Sequence, residues 1–192
     1  TGVQTCALPI LETGGYLFRT CFKDSYQGEI AAKYAAETLK VKKVAVLYGT
    51  GDPYSSGVGK AFVAAAKKNG LDVVAEENSS SADDTEYSSQ LQKIEASGAE
   101  FLYAPYYYST VGPYIVPQAR AVGYEGYIMG PDGYDGLKTT GNKANYNKVL
   151  YTTHYSPDDK SNTKVQQFIT SYKKANNGES PNTFTALGYD SV

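Results

Sequence analysis

Polar and aromatic side chains follow directly after several apolar runs of this 192-residue sequence. Asp132 follows one run, Tyr107 and Tyr108 follow a second, and Tyr54 follows a third. A carboxylate can accept hydrogen bonds from an ammonium group, and aromatic rings can contact a cation or an apolar side chain. If these runs end at one edge of a sheet, that edge could bind a small ligand that carries an ammonium group. The alternative is that Gly, Asp, Pro and Tyr are simply common in turns.

Catalytic and metal-binding patterns are weak in this sequence. His154 is the one histidine, so imidazoles cannot form a metal cluster, and a Gly-x-Ser-x-Gly nucleophile motif is absent. We predict that His154 is a hydrogen-bonded residue at a strand end rather than a base. Asp132 and Asp135 could form a carboxylate pair or a weak cation site, but solvated turn residues are the simpler interpretation, and Asp135 is expected to face solvent. The sequence therefore predicts no enzyme, no metal site and no cofactor.

Signals for nucleotide, nucleic-acid and membrane binding fail as well. The segment 49–54 begins like a dinucleotide fingerprint, but Tyr54 stands where its last glycine belongs. Lys60 is followed by Ala61, where a phosphate-binding loop needs Ser or Thr. A formal net charge of −2 without a basic run argues against a nucleic-acid partner. No run approaches the roughly 18 apolar residues of a membrane span.

Five short apolar, β-branched or aromatic runs stand about 22 to 29 residues apart, which is the length of one strand plus one helix. They are Val44–Tyr48, Asp72–Ala75, Phe101–Ala104, Tyr127–Gly130 and Val149–Thr152. Helical patterns with one apolar face fill the gaps: Ile30, Ala31, Tyr34, Ala35 and Thr38; Val58, Phe62 and Ala65; Tyr87, Leu91 and Ile94; Val111, Ile115 and Ala119; and Val165, Phe168, Ile169 and Tyr172. Gly70, Gly98 and Gly123 are typical helix stops. The segment 131–148 predicts at most one short helix.

The alternation of strands and helices predicts an α/β fold, in which helices cover both faces of a doubly wound parallel sheet. Such a sheet binds ligands outside the carboxyl ends of its strands. Tyr54, Tyr107, Tyr108, Asp132 and Tyr134 are all predicted to stand at that edge of the sheet.

The first ten residues, Thr1–Ile10, resemble the translation of a sequencing adapter, and residues 1–12 are expected to be a non-native tail. The tail is expected to pack poorly, because an accidental peptide has no partner surface. Cys6 belongs to it, so Cys21 is expected to be an isolated, small buried thiol. Both ends of the chain read as cut, which indicates a fragment of a longer gene.

Eight short motifs occur in a specific order and spacing. They are Phe18-Arg19-Thr20, Gln27-Gly28, Ala31-Ala32-Lys33-Tyr34, Lys43–Tyr48, Tyr54-x-x-Gly57, Gln118-Ala119-Arg120 with Gly123, Met129–Gly133 and Ala186–Asp190. Together they resemble the branched-chain-amino-acid-type substrate-binding proteins of ABC transporters, the Leu/Ile/Val-binding family of type I periplasmic binding proteins. The resemblance runs from about Thr13 to Val192.

The resemblance implies two α/β lobes joined by crossover strands, with the ligand in the cleft between them. Residues 13–24 would form the crossover from the first lobe, residues 25–183 the ligand-binding second lobe, and residues 184–192 the start of the return into the first lobe. In this family the first lobe holds the ligand carboxylate through hydroxyls and backbone N–H groups, so no residue of this chain is assigned that role.

The resemblance also implies ligand-binding residues. Asp132 matches the acidic position that binds the ligand ammonium, where amino-acid binders often have Glu. Tyr107 matches a strand-end tyrosine, although one extra residue in the following segment leaves Tyr107 and Tyr108 as alternatives. Tyr54 matches the aromatic residue of the Tyr-x-x-Gly turn. Tyr134 stands where many relatives have Trp, and it would either cover the pocket or pack outside it.

These implications predict a non-enzymatic, extracytoplasmic solute-binding protein, either periplasmic or lipid-anchored at the outer face of the cell membrane. It would be a monomer that delivers a small zwitterion, above all an amino acid, to the membrane permease of an ABC transporter. Closure of the lobes around the ligand would be its working motion. The first alternative is a ligand-sensing domain of a receptor or regulator with the same fold, and the second is a flavodoxin-like enzyme.

Overall fold

The computed structural model describes residues 19–192, so the adapter-like string and the predicted tail at 1–12 lie outside the described residues. Between 19 and 192 the chain alternates strands and helices: α1 Asp24–Glu37, β1 Lys43–Gly49, α2 Pro53–Lys68, β2 Asp72–Ser79, α3 Ser88–Ala96, β3 Phe101–Tyr103, α4 Tyr108–Thr110, α5 Val116–Ala121, β4 Tyr127–Gly130, β5 Val149–Tyr151, α6 Thr163–Ala175 and α7 Thr183–Asp190. All five runs predicted as strands are strands.

The strands form one parallel sheet in the order β2-β1-β3-β4-β5. Successive side chains of a strand point to opposite faces, and β1 shows this directly. Val44 and Val46 join the core under α1 and α2, whereas Ala45 and Leu47 join the core under α3 and α5. The predicted α/β fold with helices on both faces of a parallel sheet is therefore confirmed.

Helix α1 buries only part of the predicted face: Ala31 and Ala35 are buried, whereas Ile30, Tyr34 and Thr38 are not. Its buried residues are Gln27, Gly28, Ala31, Ala32 and Ala35, whereas Ile30 is only partly buried and Tyr34 is 37% exposed. The reason is the close approach of α1 to α2, which only small side chains allow. The predicted face included Ile30 and Tyr34 because they are apolar or aromatic, but the close packing buries the glycine and alanines of α1 together with Gln27.

The fourth helical pattern forms in three parts. Between α4 and α5 the residues Val111–Ile115 make a π-helical turn that contains Pro113. Helix α5 continues directly from this turn, since Ile115 is already in the helical conformation and the Val116 N–H donates to the carbonyl oxygen of Val111; Pro117 is its second residue. The three residues predicted for the buried face of this segment are all buried: Val111, Ile115 and Ala119.

Smaller predictions on loops and caps have mixed outcomes. Gly70, Gly98 and Gly123 end their helices with φ of +72°, +72° and +92°, as predicted. The segment 131–148 contains two short 3₁₀ turns, Asp132–Tyr134 and Lys143–Tyr146, rather than at most one helix. Among residues 19–192 no helix combines the length and the apolar character that crossing a membrane requires.

Cys21 is disulfide-bonded, so the expectation of an isolated thiol is wrong. That expectation rested on counting Cys6 with the adapter-like tail, which removed a second cysteine from consideration. Cys6 itself lies outside the described residues.

Candidate functional site

Asp132 stands at the carboxyl edge of the sheet because β4 ends at Gly130. Pro131 follows and has no N–H to donate to a neighbouring strand, and Asp132 then begins a 3₁₀ turn. The turn requires glycine at position 133, since an added Cβ there would lie 2.7 Å from the carbonyl oxygen of Tyr106. The carboxylate is thereby held at the rim on a short, tight segment.

Three side chains from three other parts of the chain contact the Asp132 carboxylate. Its Oδ1 accepts a hydrogen bond from Gln27 Nε2 at 2.8 Å and another from the Tyr54 hydroxyl at 2.6 Å. Its Oδ2 lies 3.0 Å from His154 Nε2. Only 13% of the Asp132 side chain is exposed, and 7% of the His154 side chain. The carboxylate is the centre of a partly buried polar cluster.

Two of these three partners, Gln27 and Tyr54, make further hydrogen bonds that hold them in place. Gln27 accepts hydrogen bonds at its Oε1 from the Asp132 backbone N–H and from Thr152 Oγ1, both at 2.8 Å, so its amide can only present N–H to the carboxylate. The Tyr54 hydroxyl accepts the backbone N–H of Gly133 at 3.0 Å. Tyr54 itself is placed in the first turn of α2, which begins after β1.

The cluster decides the charge of Asp132. Burial by itself raises the pKa of the Asp132 carboxyl, but the hydrogen bonds from His154, Tyr54 and Gln27 outweigh burial and hold that pKa below its usual value. Asp132 is therefore ionised at neutral pH. Burial and the nearby negative charge of Asp132 raise the pKa of Tyr54, which stays a protonated donor.

The remaining predicted tyrosines lie in three different environments. Tyr107 is partly buried and its ring stacks on Tyr54 with 5.3 Å between ring centroids. Tyr108 is 51% exposed at the start of α4. Tyr134 is completely buried, and its hydroxyl donates to the carbonyl oxygen of Ala104 at 2.7 Å. Of the two alternatives for Tyr134, packing outside the pocket matches this position.

Asp135 does not face solvent, and the expectation that it would is wrong. Its Oδ2 accepts the backbone N–H of Thr183 at 2.8 Å, at the start of α7. The first N–H groups of a helix have no partner within it, so an acidic side chain there stabilises the helix end. Asp135 therefore connects the turn after β4 to α7. Among the described residues, no group of three His, Cys, Asp or Glu side chains could hold a metal ion.

Phe22, which precedes α1, and Asp24, the first residue of α1, complete the cluster. The Phe22 ring stacks on His154 with 3.7 Å between centroids. Asp24 lies three residues before Gln27, on the same side of α1. Burial, followed by the negative charge of Asp132, raises the pKa of the Asp24 carboxyl to about 6, although Arg19 and His154 partly offset this.

The raised pKa of Asp24 predicts a pH dependence of stability. The folded chain binds the proton of Asp24 more tightly than the unfolded chain, whose carboxyl has an ordinary pKa of 3.8. Stability is therefore lost as the pH rises from about 4 to above 6. The Asp24→Asn variant should be more stable than the wild type at pH 7, and the difference should disappear as the pH falls to about 4.

Urea unfolding at several pH values between 4 and 7 measures this difference. Asp132, whose pKa is lowered, changes its protonation below this window, so it does not mask the effect. The exposed Asp83 provides the control, because Asp83→Asn should leave the pH profile unchanged. A stability difference between the wild type and Asp24→Asn that does not grow as the pH rises from 4 to 7 would contradict the prediction.

Sequence reasoning missed Gln27, Phe22 and Asp24 as parts of this site. Gln27 carried one usable signal, since it precedes Ala31 by four residues and so places a polar group on the buried face of α1. Phe22 and Asp24 carried none. His154 lies after β5 with a hydrogen bond to Asp132, which agrees with its predicted role as a hydrogen-bonded strand-end residue.

The sequence matches known proteins across nearly its whole length. Residues 4–192 match the profile of the family described as periplasmic binding protein. The chain belongs to this family. The matched range includes residues 4–10 of the adapter-like string, whose origin stays a prediction.

Several relatives are amino-acid-binding proteins by name. An amino acid binding protein of Pseudomonas aeruginosa is 30% identical over 178 residues, which cover 92% of this chain and 46% of that protein. A Leu/Ile/Val-binding protein homologue of Brucella melitensis is 33% identical over 117 residues, which cover 61% of this chain and 31% of that protein. The chain thus spans about half or less of the length of the curated relatives it matches.

Solved structures of the family share the fold. A leucine-binding protein of Thermotoga maritima is 31% identical with a TM-score of 0.75, over 90% of this chain and 48% of that one. A branched-chain amino acid transporter substrate-binding protein of Streptococcus pneumoniae, in complex with isoleucine, is 30% identical with a TM-score of 0.77. The match covers 92% of this chain and 49% of that one. The fold is that of a lobe of a type I periplasmic binding protein. These relatives are solute-binding proteins rather than enzymes, as predicted.

Proposed function

We propose that the chain supplies the second lobe of an extracytoplasmic solute-binding protein, which binds an amino acid or a similar small zwitterion and delivers it to the permease of an ABC transporter. The observation that carries the proposal is the ionised, partly buried Asp132 at the carboxyl edge of the sheet in a periplasmic binding protein. Relatives named for amino acids support the ligand class.

The chemistry of the rim suits an ammonium group. A carboxylate has about four acceptor positions, and three of those on Asp132 are taken. Residues 19–192 thus leave one position on Oδ2 for a ligand N–H. Tyr54, whose hydroxyl contacts Oδ1, stacks on Tyr107, and the negative charges of Asp52, Asp24 and Asp132 all act on Tyr107. A cation with an apolar body fits these neighbours.

The division of the chain into lobe parts belongs to the same proposal. Residues 13–24 would be the crossover, residues 25–183 the lobe and residues 184–192 the return. A monomeric state, a permease partner and a periplasmic or lipid-anchored location likewise come from the family and are proposed with it.

A single lobe should hold the ammonium and the side chain of a ligand but not its carboxylate. Binding should be weak, because the opposite wall of the cleft is absent and closed pockets bury most of a small ligand. Leucine and 3-methylbutylamine, which lacks only the carboxylate, should bind this chain with similar millimolar dissociation constants. 4-Methylpentanoate, which lacks the ammonium group, should not bind.

Backbone amide NMR shifts of the whole chain during titration with each of the three compounds test this. The shifts caused by leucine should cluster at Gly133, Tyr107 and the start of α2. The proposal fails if 4-methylpentanoate binds as well as the amine, or if none of the three causes saturable shifts. Micromolar leucine binding in calorimetry would contradict the expected weakness of one lobe.

A further inference from the structure

His154 occupies an unusual place between a ring and a carboxylate. It follows β5, and its imidazole stacks on Phe22 with the ring planes at 28°. Its Nε2 lies 3.0 Å from Asp132 Oδ2, and only 7% of its side chain is exposed to solvent. The imidazole is therefore held on one face by an apolar ring and at one edge by a charge.

The ionised state of Asp132 fixes the direction of this hydrogen bond. A carboxylate without a proton can only accept, so His154 Nε2 carries the hydrogen and donates it. Oδ1 already has both of its acceptor positions filled, by Gln27 and Tyr54. The position of His154 on Oδ2 thus decides which single acceptor position the side chains of residues 19–192 leave open on the carboxylate.

We propose that His154 is a positioning residue of the ammonium subsite: braced by Phe22, it fixes the Asp132 carboxylate so that the one free acceptor position of Oδ2 faces the ligand. This inference rests on the proposed function. It assigns His154 no contact with the ligand and no proton transfer. It also gives the segment before α1 a part in recognition, because Phe22 belongs to that segment and holds the imidazole.

Two substitutions separate the hydrogen bond from the ring stack. His154→Phe keeps a ring against Phe22 and removes the donor. His154→Gln keeps an N–H donor for Asp132 and removes the ring. If the donor positions the carboxylate, His154→Phe should weaken binding of 3-methylbutylamine about tenfold, and His154→Gln should retain most of the wild-type affinity.

A second readout needs no ligand. The ¹³Cγ chemical shift of Asp132 as a function of pH reports the pKa of its carboxyl directly. Loss of a donor to the charged form should raise this pKa in His154→Phe and leave it nearly unchanged in His154→Gln. A residue that only stabilised the fold would lower the unfolding temperature without this contrast between the two variants.

The outcomes distinguish this inference from the proposed function. If the wild type binds the amine and His154→Phe binds it equally well or more tightly, His154 does not position the carboxylate and the inference is overturned. An unchanged pKa of Asp132 in His154→Phe overturns it as well, whether or not any ligand binds. A wild type that binds no amine, together with the expected pKa contrast, overturns the proposed function and the ligand-facing part of the inference.

Discussion

The Asp132→Asn variant is expected to lose both stability and affinity for an ammonium group. The carboxylate accepts hydrogen bonds from Gln27, Tyr54 and His154. An Asn side chain has a single oxygen, and its NH₂ group would face at least one of these donors. Gln27 cannot turn its amide over, because its oxygen is held by the Asp132 N–H and by Thr152. Hydrogen bonds to charged groups contribute about 1.5–3 kcal/mol each, so a loss of about 2–3 kcal/mol of unfolding free energy should follow.

The binding effect of Asp132→Asn should appear in the same preparation. Affinity for 3-methylbutylamine should fall at least tenfold, because the charged acceptor is gone. Urea unfolding and the NMR titration measure the two losses separately. Full stability with lost binding would show that the network is energetically neutral, and lost stability with unchanged binding would show that Asp132 serves the turn alone.

The choice of control for Asp132→Asn follows from the structure. Asp135 looks like the natural control in the sequence, since both residues lie in one Gly-rich turn. It is unsuitable, because its carboxylate accepts the Thr183 N–H and its removal would weaken the start of α7. Asp83 is exposed and lies far along the chain from this turn, so Asp83→Asn should change neither measurement.

The Gly28→Ala variant should unfold with a free energy about 1–2 kcal/mol lower than that of the wild type. Helix propensity alone predicts the opposite, since Ala is about 1 kcal/mol better than Gly inside a helix. A Cβ at position 28 would, however, lie 2.7 Å from the Phe62 nitrogen and 2.8 Å from the Val58 carbonyl oxygen. Both atoms belong to the backbone of α2 and cannot turn away, so the two helices must separate. Overpacking costs about 1–3 kcal/mol, and against backbone atoms that cannot move aside we expect the upper part of this range, about 2–3 kcal/mol, which exceeds the gain in propensity.

Gly57 provides a matched control for Gly28. It also lies within a helix, α2, but it is exposed and an added Cβ would meet nothing within 4 Å. Gly57→Ala should therefore stabilise the chain by up to about 1 kcal/mol. Urea unfolding measures the change in unfolding free energy for Gly28→Ala and for Gly57→Ala. Equal stabilisation by the two substitutions would mean that α1 and α2 do not approach as closely as described.

The sequence by itself determined the strands and the edge at which polar residues gather. Each strand contains a short apolar, β-branched or aromatic run, and the helix ends at Gly70, Gly98 and Gly123 depend on a backbone conformation that glycine adopts without strain. These signals are local, because they arise from neighbours in the chain. The placement of Asp132 at the carboxyl edge followed from the same local pattern together with the rule for parallel sheets.

Only the tertiary structure decided what surrounds Asp132. Gln27 is 105 residues away along the chain, and Tyr54 is 78 residues away. Their contacts arise because α1 packs on α2 and because β1 and β4 end at one edge. The sequence also could not show that α1 buries Gln27 and Gly28 rather than Ile30 and Tyr34, since the distance between two helices depends on both of them. Fold class follows from periodicity within each segment, whereas the charge and orientation of a side chain depend on residues that only folding brings together.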